Sequence, residues 1–227
     1  MSEIALDAVS VSFGDRIALR DVSVVLDQRR IGVIGSNGSG KSTFARLLNG
    51  LVAPTTGSVR VHGLDPHRQA KALRRRVGFV FSNPDVQIVM PTVAEDVAFT
   101  LRGRGLTESE IAGRVAAALE RHGLSADAQT PAHSLSGGQK QLLALCAVRV
   151  GEPALIVADE PTALLDAVNS RRIRSQLLDE SEQQLVLITH DLRLAARCDV
   201  VLRFENGRLL ELGEPAAIIG GYEREYA

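Results

Sequence analysis

The sequence is poor in cysteine, with Cys146 and Cys198 as its only two thiols. Each lies in an apolar stretch, and neither has a second thiol or a histidine at the spacing of metal ligands. The sequence therefore indicates neither a disulfide framework nor a zinc site. We expect a reducing compartment.

An excess of charge of either sign is also missing. The 227 residues include 26 Lys and Arg against 27 Asp and Glu, and the arginines look scattered along the chain. Nucleic-acid-binding proteins usually present a broad positive field, so we expect no nucleic-acid partner. The N-terminal segment lacks the basic and long apolar regions of a signal peptide, and no apolar run is long enough to span a bilayer. If the protein acts at a membrane, we expect it to work from the cytoplasmic face through partner proteins.

Short runs rich in valine, isoleucine and leucine alternate with helical stretches. Runs of this kind indicate parallel strands buried on both faces and predict an α/β fold. Ile4–Phe13 and Val22–Leu26 alternate more and indicate an antiparallel β layer, as does residue range 200–212 around the Asn206-Gly207 turn. The buried strands are predicted at residues 30–34, 77–81, 154–158 and 184–189.

The strand signal is absent from Asn83 to about Leu135. Two helices are predicted there, at Val93–Leu101 and at residues 108–122, and Thr107 with Glu110 forms a capping-box sequence at the start of the second. We therefore expect one domain, residues 1–227, with a helical subdomain at approximately residues 83–140.

A glycine-rich loop joins a predicted strand to a predicted helix. Its glycines let successive backbone N–H groups turn toward phosphate oxygens, and the helix N-terminus adds partial positive charge. Lys41 would reach the β- and γ-phosphates, and Ser42 would bind Mg²⁺. This strand-loop-helix context favours a phosphate-binding Walker A loop over a chance glycine-rich turn. The loop consists of Gly35, Ser36, Asn37, Gly38, Ser39, Gly40, Lys41, Ser42 and Thr43.

Polar side chains follow three other predicted strands. Asp159 suits a Mg²⁺ shell and Glu160 can polarise an attacking water, although an acidic pair alone is more often a solvated loop or a helix cap. His190 and Ser82 also follow buried strands, and open α/β sheets bind ligands at the carboxyl ends of their strands. We therefore expect these groups to meet the phosphates there, with His190 contacting the γ-phosphate; alternatively, His190 or Asp191 caps the next helix.

A second glycine-rich element opens an apolar helix predicted at residues 140–150. A serine hydroxyl, two glycines and a free helix N-terminus can form another anion site. The same pentapeptide is equally typical of a capped helix start. Its residues are Leu135, Ser136, Gly137, Gly138 and Gln139.

Taken together, these motifs resemble those of the ABC transporter ATPases over nearly the whole chain. The LSGGQ pentapeptide precedes Asp159 and Glu160, with the Walker A loop upstream and His190 downstream. The resemblance implies a RecA-like P-loop core with a helical subdomain, and ATP and Mg²⁺ as cofactors. It also implies a head-to-tail dimer in which Ser136 and the two glycines after it contact the γ-phosphate held by the Walker A loop of the other subunit.

The resemblance also implies individual roles. Glu160 would be the catalytic base, His190 the switch residue, and residues 164–166 the D-loop. Phe13 would stack on adenine as the A-loop aromatic, although an aromatic in a half-buried strand is equally an ordinary core residue.

Ser82 departs from the family pattern. The family places a glutamine there, after a phenylalanine, where it binds Mg²⁺ and water and relays contact from the membrane subunit. Serine can offer its hydroxyl to a water in the metal shell, so Ser82 is included among the expected metal ligands. Its shorter side chain puts turnover and coupling in doubt, and leaves open a catalytically weak, regulatory subunit.

The segment after Ser82 resembles that of the ATPases of energy-coupling factor (ECF) importers. The resemblance implies a transmembrane T-subunit, a substrate-binding S-subunit and a second ATPase subunit as partners, at the cytoplasmic face of the inner membrane. Glu95 and Asp96 could instead face solvent, with the apolar residues of that helix lining a groove or the core. The segments concerned are residues 83–87, 91–93 and 95–99.

Three features together resemble the ATPase of a biotin uptake system. We expect the residues after Gly213 to be too few for an additional C-terminal domain, and residues 158–169 and 221–223 resemble the corresponding biotin sequences. Cobalt and nickel systems are the alternative. A soluble ABC protein of repair or translation would usually need a second cassette or a coiled-coil insertion.

Overall fold

The structure is a computed structural model that describes residues 3–163, 165–180 and 182–226. The described residues form two compact units. The first contains residues 3–77, 154–160 and 182–226, and the second contains residues 78–153, 161–163 and 165–180. The predicted helical subdomain, residues 83–140, falls within the second unit, which extends beyond it at both ends. No helix of the described residues is long and apolar enough to cross a membrane.

A mixed sheet forms the centre of the first unit. Four of its strands, in the order β6-β7-β3-β8, are parallel, and β9 is antiparallel to β8. Nearly all residues of the parallel strands are buried, as expected for a sheet covered on both faces. The α/β prediction is therefore confirmed. The strands are β1 (Ile4–Phe13), β2 (Arg16–Leu26), β3 (Arg30–Gly35), β4 (Thr56–Val61), β5 (Val77–Val80, where the chain leaves the first unit), β6 (Leu155–Asp159), β7 (Gln184–Ile188), β8 (Val200–Glu205) and β9 (Arg208–Gly213).

An antiparallel sheet, in the order β2-β1-β4, forms a second layer of the first unit. The β1–β2 prediction is confirmed, but β4 has no counterpart in the sequence analysis, because only Val59 and Val61 of this strand are buried. The antiparallel pairing predicted at residues 200–212 is confirmed, since β8 and β9 form a hairpin around Asn206-Gly207. This hairpin belongs to the central sheet and not to the antiparallel layer, because β8 is buried on both faces and pairs in parallel with β3.

The second unit is mainly helical. Thr92 and Thr107 begin α3 and α4 with complete capping boxes, which confirms the prediction for α4. Each threonine hydroxyl accepts a hydrogen bond from the backbone N–H three residues later in the chain. This N–H group has no partner within the helix, so the threonine satisfies it. The helices are α1 (Lys41–Leu48), α2 (Ala70–Leu73), α3 (Val93–Leu101), α4 (Glu108–Arg121), α5 (Gly137–Arg149), α6 (Ala167–Leu178), α7 (Leu192–Ala195) and α8 (Pro215–Tyr226), with 3₁₀ turns at Pro84–Val86, Ser125–Asp127 and Ala132–Ser134.

Asp96 does not face solvent, contrary to one of the two readings of the sequence. It is buried, and its Oδ1 accepts hydrogen bonds from the backbone N–H groups of Val89 (2.9 Å) and Met90 (3.0 Å). The carboxylate therefore fixes the loop before α3. Val93 and Val97 are fully buried, so this face of the helix belongs to the core of the second unit.

Both cysteines are free and buried, Cys146 in the second unit and Cys198 in the first. Burial raises the pKa of each thiol to about 12. At neutral pH they are therefore protonated and poorly reactive.

Candidate active site

The Walker A loop connects β3 to α1 in the first unit and depends on glycine at its start. Gly35 has φ 142°, and a Cβ there would collide with the carbonyl oxygen of Phe204 on β8. The loop closes through a hydrogen bond from Ser39 N–H to the carbonyl of Ser36 (3.2 Å). A further bond, from Gly207 N–H to the Ser39 carbonyl (3.0 Å), ties the loop to the β8–β9 turn.

Gly40 lies at the start of α1 with φ 104° and offers no side chain to cap the helix. The N–H groups of the first helical turn are therefore left for a ligand, and the helix N-terminus adds its partial positive charge. Around this end lies a cavity of about 250 Å³. Its lining consists of Arg16, Ala18, Asn37, Gly38, Ser39, Gly40, Lys41, Ser42, Thr43 and Glu160.

Lys41 is held over the loop by backbone carbonyls. Its Nζ donates to the carbonyl oxygens of Gly35 (2.7 Å) and Ser36 (2.8 Å), and the residue is only 7% exposed. Burial lowers the pKa of the ammonium group, while the Glu160 and Asp159 carboxylates oppose that shift. An ammonium group has three donors, so one remains for a phosphate oxygen.

Ser42 and Asp159 come together across the sheet edge. Ser42 Oγ donates to Asp159 Oδ1 at 3.1 Å, and Asp159 is buried. Burial raises the pKa of the Asp159 carboxyl, against the hydrogen bond from Ser42 and the charges of Arg46 and Lys41. A hydroxyl and a carboxylate are hard oxygen ligands, and Mg²⁺ is usually held by one or two such groups together with phosphates and water. This pair therefore fits Mg²⁺.

Glu160 and His190 form a second pair at the same edge. Glu160 Oε2 accepts a hydrogen bond from the backbone N–H of His190 (3.3 Å) and lies at hydrogen-bond distance, 2.8 Å, from the ring nitrogen His190 Nδ1. Glu160 borders the cavity, whereas His190, with its side chain 71% exposed, reaches the cavity through Glu160. Glu160 also has φ 51°. A left-handed backbone costs a non-glycine residue roughly 1–3 kcal/mol and is typical of functional positions.

Phe13 and Arg16 face each other across the β1–β2 turn. Phe13 is 54% exposed, so it is not a residue of the core. Arg16 borders the Walker A cavity, and the sequence analysis missed it because it began the second strand at Val22. The turn residues Gly14 and Asp15 could have shown that Arg16 pairs with the predicted adenine contact.

The LSGGQ element belongs to the second unit, where it starts α5. Ser136 caps the helix and forms a capping box with Gln139, whose side chain also donates to Asp127 (3.1 Å). Ser136 and Gly137 are exposed, whereas Gly138 is buried beside Asn169.

Ser82 and the D-loop also belong to the second unit. Ser82 is exposed and follows Phe81. The backbone N–H of Phe81 donates to Gln87 Oε1 (3.3 Å), and its carbonyl accepts from Gln141 Nε2 (3.0 Å). Leu164 lies outside the described residues, and Asp166 caps α6. The metal role of Ser82 stays a prediction.

A family model matches more than half of the chain. The family model described as ABC transporter matches residues 19–163, so the chain belongs to the ABC transporter family. It is 45% identical over 224 residues, 99% of both chains, to the biotin transport ATP-binding protein BioM of Rhizobium etli. It is 41% identical over 206 residues to the energy-coupling factor transporter ATP-binding protein EcfA1 of Lacticaseibacillus paracasei, covering 88% of this chain and 74% of that protein.

A solved structure is similar over almost the whole chain. CbiO1 from Clostridium perfringens, part of the ABC transporter complex cbiONQ, superposes with a TM-score of 0.84 at 30% identity, covering 97% of this chain and 91% of that one. The chain is therefore an ABC-type ATPase, an ATP-binding subunit of the ABC and ECF transporter class.

Proposed function

We propose that this chain hydrolyses Mg-ATP to drive import through an ECF-type transporter, with biotin as the solute. The observation that carries hydrolysis is the position of the Glu160 carboxylate, which borders the Walker A cavity and lies 2.8 Å from His190 Nδ1. A binding-only subunit would need no carboxylate in this position. Hydrolysis needs one to accept a proton from water.

The residues predicted to bind nucleotide and metal have the following proposed roles. The backbone of Gly35–Thr43 and the start of α1 cradle the phosphate oxygens, and Lys41 supplies a positive charge. Ser42 and Asp159 would hold Mg²⁺, which would offset negative charge on the phosphate oxygens. Ser82, a residue of the second unit, stays a proposed ligand of the metal shell through a water. Phe13 stacks on adenine.

The His190 ring holds the catalytic base. Glu160 must point one carboxylate oxygen at the water that attacks the γ-phosphate. The contact of 2.8 Å with Nδ1 fixes the other oxygen, and the left-handed backbone of Glu160 sets the direction of the side chain. His190 itself is exposed and free to contact the γ-phosphate as well.

The second unit supplies the complementary anion site, and we propose that it acts on a second copy of the chain. Ser136 and Gly137 are exposed at the start of α5, so the helix N-terminus is accessible. Among the described residues, Gln139 bonds this turn to Asp127, and Lys140 of the same turn is paired with Asp85 at 2.7 Å. A helix start whose lysine is already paired and that has no metal ligand binds phosphate weakly alone, which suits a homodimer in which ATP bridges two chains.

The proposed membrane partners are a T-subunit and a substrate-binding S-subunit, with the chain peripheral at the cytoplasmic face of the inner membrane. Support for contact with a T-subunit comes from three exposed apolar side chains of the second unit, within the segment that resembles ECF ATPases. Support for biotin comes from the similarity to BioM along the full chain. The exposed side chains are Val86, Val89 and Phe99.

The transported solute can be identified by an uptake assay on the assembled complex. We expect the chain to copurify with its membrane subunits, and vesicles that contain the complex and ATP to accumulate labelled biotin. Lys41→Ala should abolish uptake, because it removes the charge at the phosphates. Uptake of cobalt or nickel without biotin would favour the alternative solute, and ATP binding without turnover in the complex would favour a regulatory subunit.

A further inference from the structure

The charge of the chain is not evenly spread, contrary to the expectation from the sequence that the arginines are scattered. Five cations fall within nine residues around α2, while the whole chain has a net charge of −1. The rest of the chain therefore has a net charge of −6, because subtracting the +5 of these cations from −1 leaves −6. The residues of this basic cluster are Arg68, Lys71, Arg74, Arg75 and Arg76, and all five are exposed.

Three of these cations share one face. Arg68, Lys71 and Arg75 border a surface cavity of about 380 Å³, together with Gln69 and Ala72. Their spacing of three and four residues places successive side chains on the same side of a helical turn. The lining contains no acidic residue.

The nearest carboxylate in sequence is already engaged. Asp65 Oδ1 accepts from the backbone N–H groups of His67 (2.9 Å) and Arg68 (3.0 Å), and the hydrogen bond from Arg68 is the largest cause that lowers the Asp65 pKa. Its contact with the Arg68 side chain is 3.7 Å long, and that side chain is 84% exposed. Asp65 therefore fixes the turn and neutralises little of the cluster.

Lys71 lies within α2 and the other four cations flank this short helix, so like charges repel one another there. A solvated basic face usually offsets this with acidic residues at the same spacing, and residues 66–77 contain none. An external anionic surface would relieve the repulsion. Each lysine or arginine near an anionic bilayer contributes about 1 kcal/mol, which is roughly a fivefold gain in partition for each cation.

We propose that the basic cluster binds the phosphate headgroups of anionic phospholipids, so that the chain contacts the bilayer itself in addition to its membrane subunits. The cavity between Arg68, Lys71 and Arg75 receives a headgroup phosphate, and Arg74 and Arg76 add long-range attraction. This inference rests on the proposed peripheral location at the membrane. Vesicle binding by the purified chain is nevertheless measurable whether or not the chain drives import, so the two proposals can fail separately.

The test is cosedimentation of the purified full chain with vesicles of phosphatidylcholine alone or with phosphatidylglycerol added. We expect binding only to the anionic vesicles, and loss of binding at high salt, because screening shortens the reach of surface charges. The triple variant Arg68→Gln/Lys71→Gln/Arg75→Gln should partition about a hundredfold more weakly. The matched control Arg102→Gln/Arg114→Gln/Arg121→Gln removes three exposed arginines of the second unit and should bind as tightly as the wild type.

Equal losses in both triple variants would attribute binding to net charge and overturn the site. Equal binding to neutral vesicles, or none to anionic ones, would also overturn it. Duplex DNA is the competing anionic partner, and tighter binding of the wild type to DNA than to vesicles would contradict a lipid surface.

A labelled variant reports the contact directly. The native thiols are buried and protonated, so a dye attached at Ala72→Cys labels the cluster selectively. Anionic vesicles should shift its emission, whereas a dye at the exposed position Ser109→Cys in the second unit should not respond. A response at both positions, or at neither, would overturn the proposal even if a glutamine variant folded poorly.

Discussion

The two glycine-rich elements differ in how much of a phosphate site each one completes. The Walker A loop in the first unit surrounds itself with buried, interacting charges: Lys41, Asp159 and, at the rim, Glu160. The LSGGQ element in the second unit is an exposed helix start with a capping box, and the lysine of its first turn, Lys140, is paired with Asp85. We therefore propose that the same local signal, glycines before a helix, serves catalysis in the Walker A loop and contact with a second chain in the LSGGQ element. The difference lies in the residues that other strands bring to the loop.

The largest expected effect is on the chemistry of the first unit. Glu160→Gln should keep ATP binding but reduce hydrolysis by about 10²- to 10⁴-fold, because the amide spares the phosphate and metal contacts while removing the base. Phosphate release and nucleotide binding by the purified variant measure the two effects. His190→Ala should cost less, since it removes the group that orients Glu160. Turnover of Glu160→Gln within a few-fold of the wild type would show that another group is the base.

The next largest effect is on ATP-dependent dimerisation, to which we expect the LSGGQ element of the second unit to contribute. Glu160→Gln should dimerise with Mg-ATP and remain monomeric without it, because nucleotide links association to binding. Adding Gly137→Ala should abolish that dimer without unfolding the chain, since a Cβ at Gly137 meets no atom within 4 Å. Size-exclusion chromatography and thermal denaturation separate association from stability.

Gly138→Ala provides the contrast in the same helix turn. A Cβ there would collide with Asn169, so this variant should lower stability as well as dimerisation. A Gly137→Ala protein that still dimerises with ATP would remove the second unit from the proposed site. A dimer of equal strength without nucleotide would contradict the ATP bridge.

A smaller effect is expected at Arg16, which borders the Walker A cavity but lies outside the Walker A loop. Arg16→Ala should weaken ATP binding by about 1 kcal/mol, roughly fivefold in Kd, since an exposed cation contributes modestly. Arg20→Ala is the matched control, because Arg20 is exposed on the same strand and does not border the cavity. Fluorescent-nucleotide titration measures both. Equal losses would mean that general charge, rather than position, explains the effect.

The smallest effect is expected at Ser82, the departure from the family pattern. Ser82→Gln should fold normally and raise the ATPase rate of the isolated chain by up to about fivefold, because the longer carboxamide reaches the metal and the attacking water. Uptake by the assembled complex, measured on the same variant, should fall if the membrane contact has adapted to serine. If neither rate changes, Ser82 does not lie at the nucleotide.

Local patterns were predicted well because they act within a few residues. The capping box of Thr107 and Glu110 was predicted, and α3 begins and ends at the predicted residues. Predictions failed where a distant strand decides the outcome. The hairpin at residues 200–212 is the example, because β8 joins the central sheet beside β3. The sequence left the exposure of Asp96 open, and its burial follows from the nearby loop that it holds.

The sequence by itself determined the Walker A loop, the acidic pair and the LSGGQ helix start, because each is a short segment whose backbone needs glycine or a capping side chain. The tertiary structure decided which side chains work together. Ser42 reaches Asp159 across 117 residues of chain, and Glu160 reaches His190 across 30, because parallel strands place their carboxyl ends at one edge. Arg16 borders the same cavity because the β1–β2 hairpin pairs it with Phe13, a contact that the turn residues Gly14 and Asp15 encode locally.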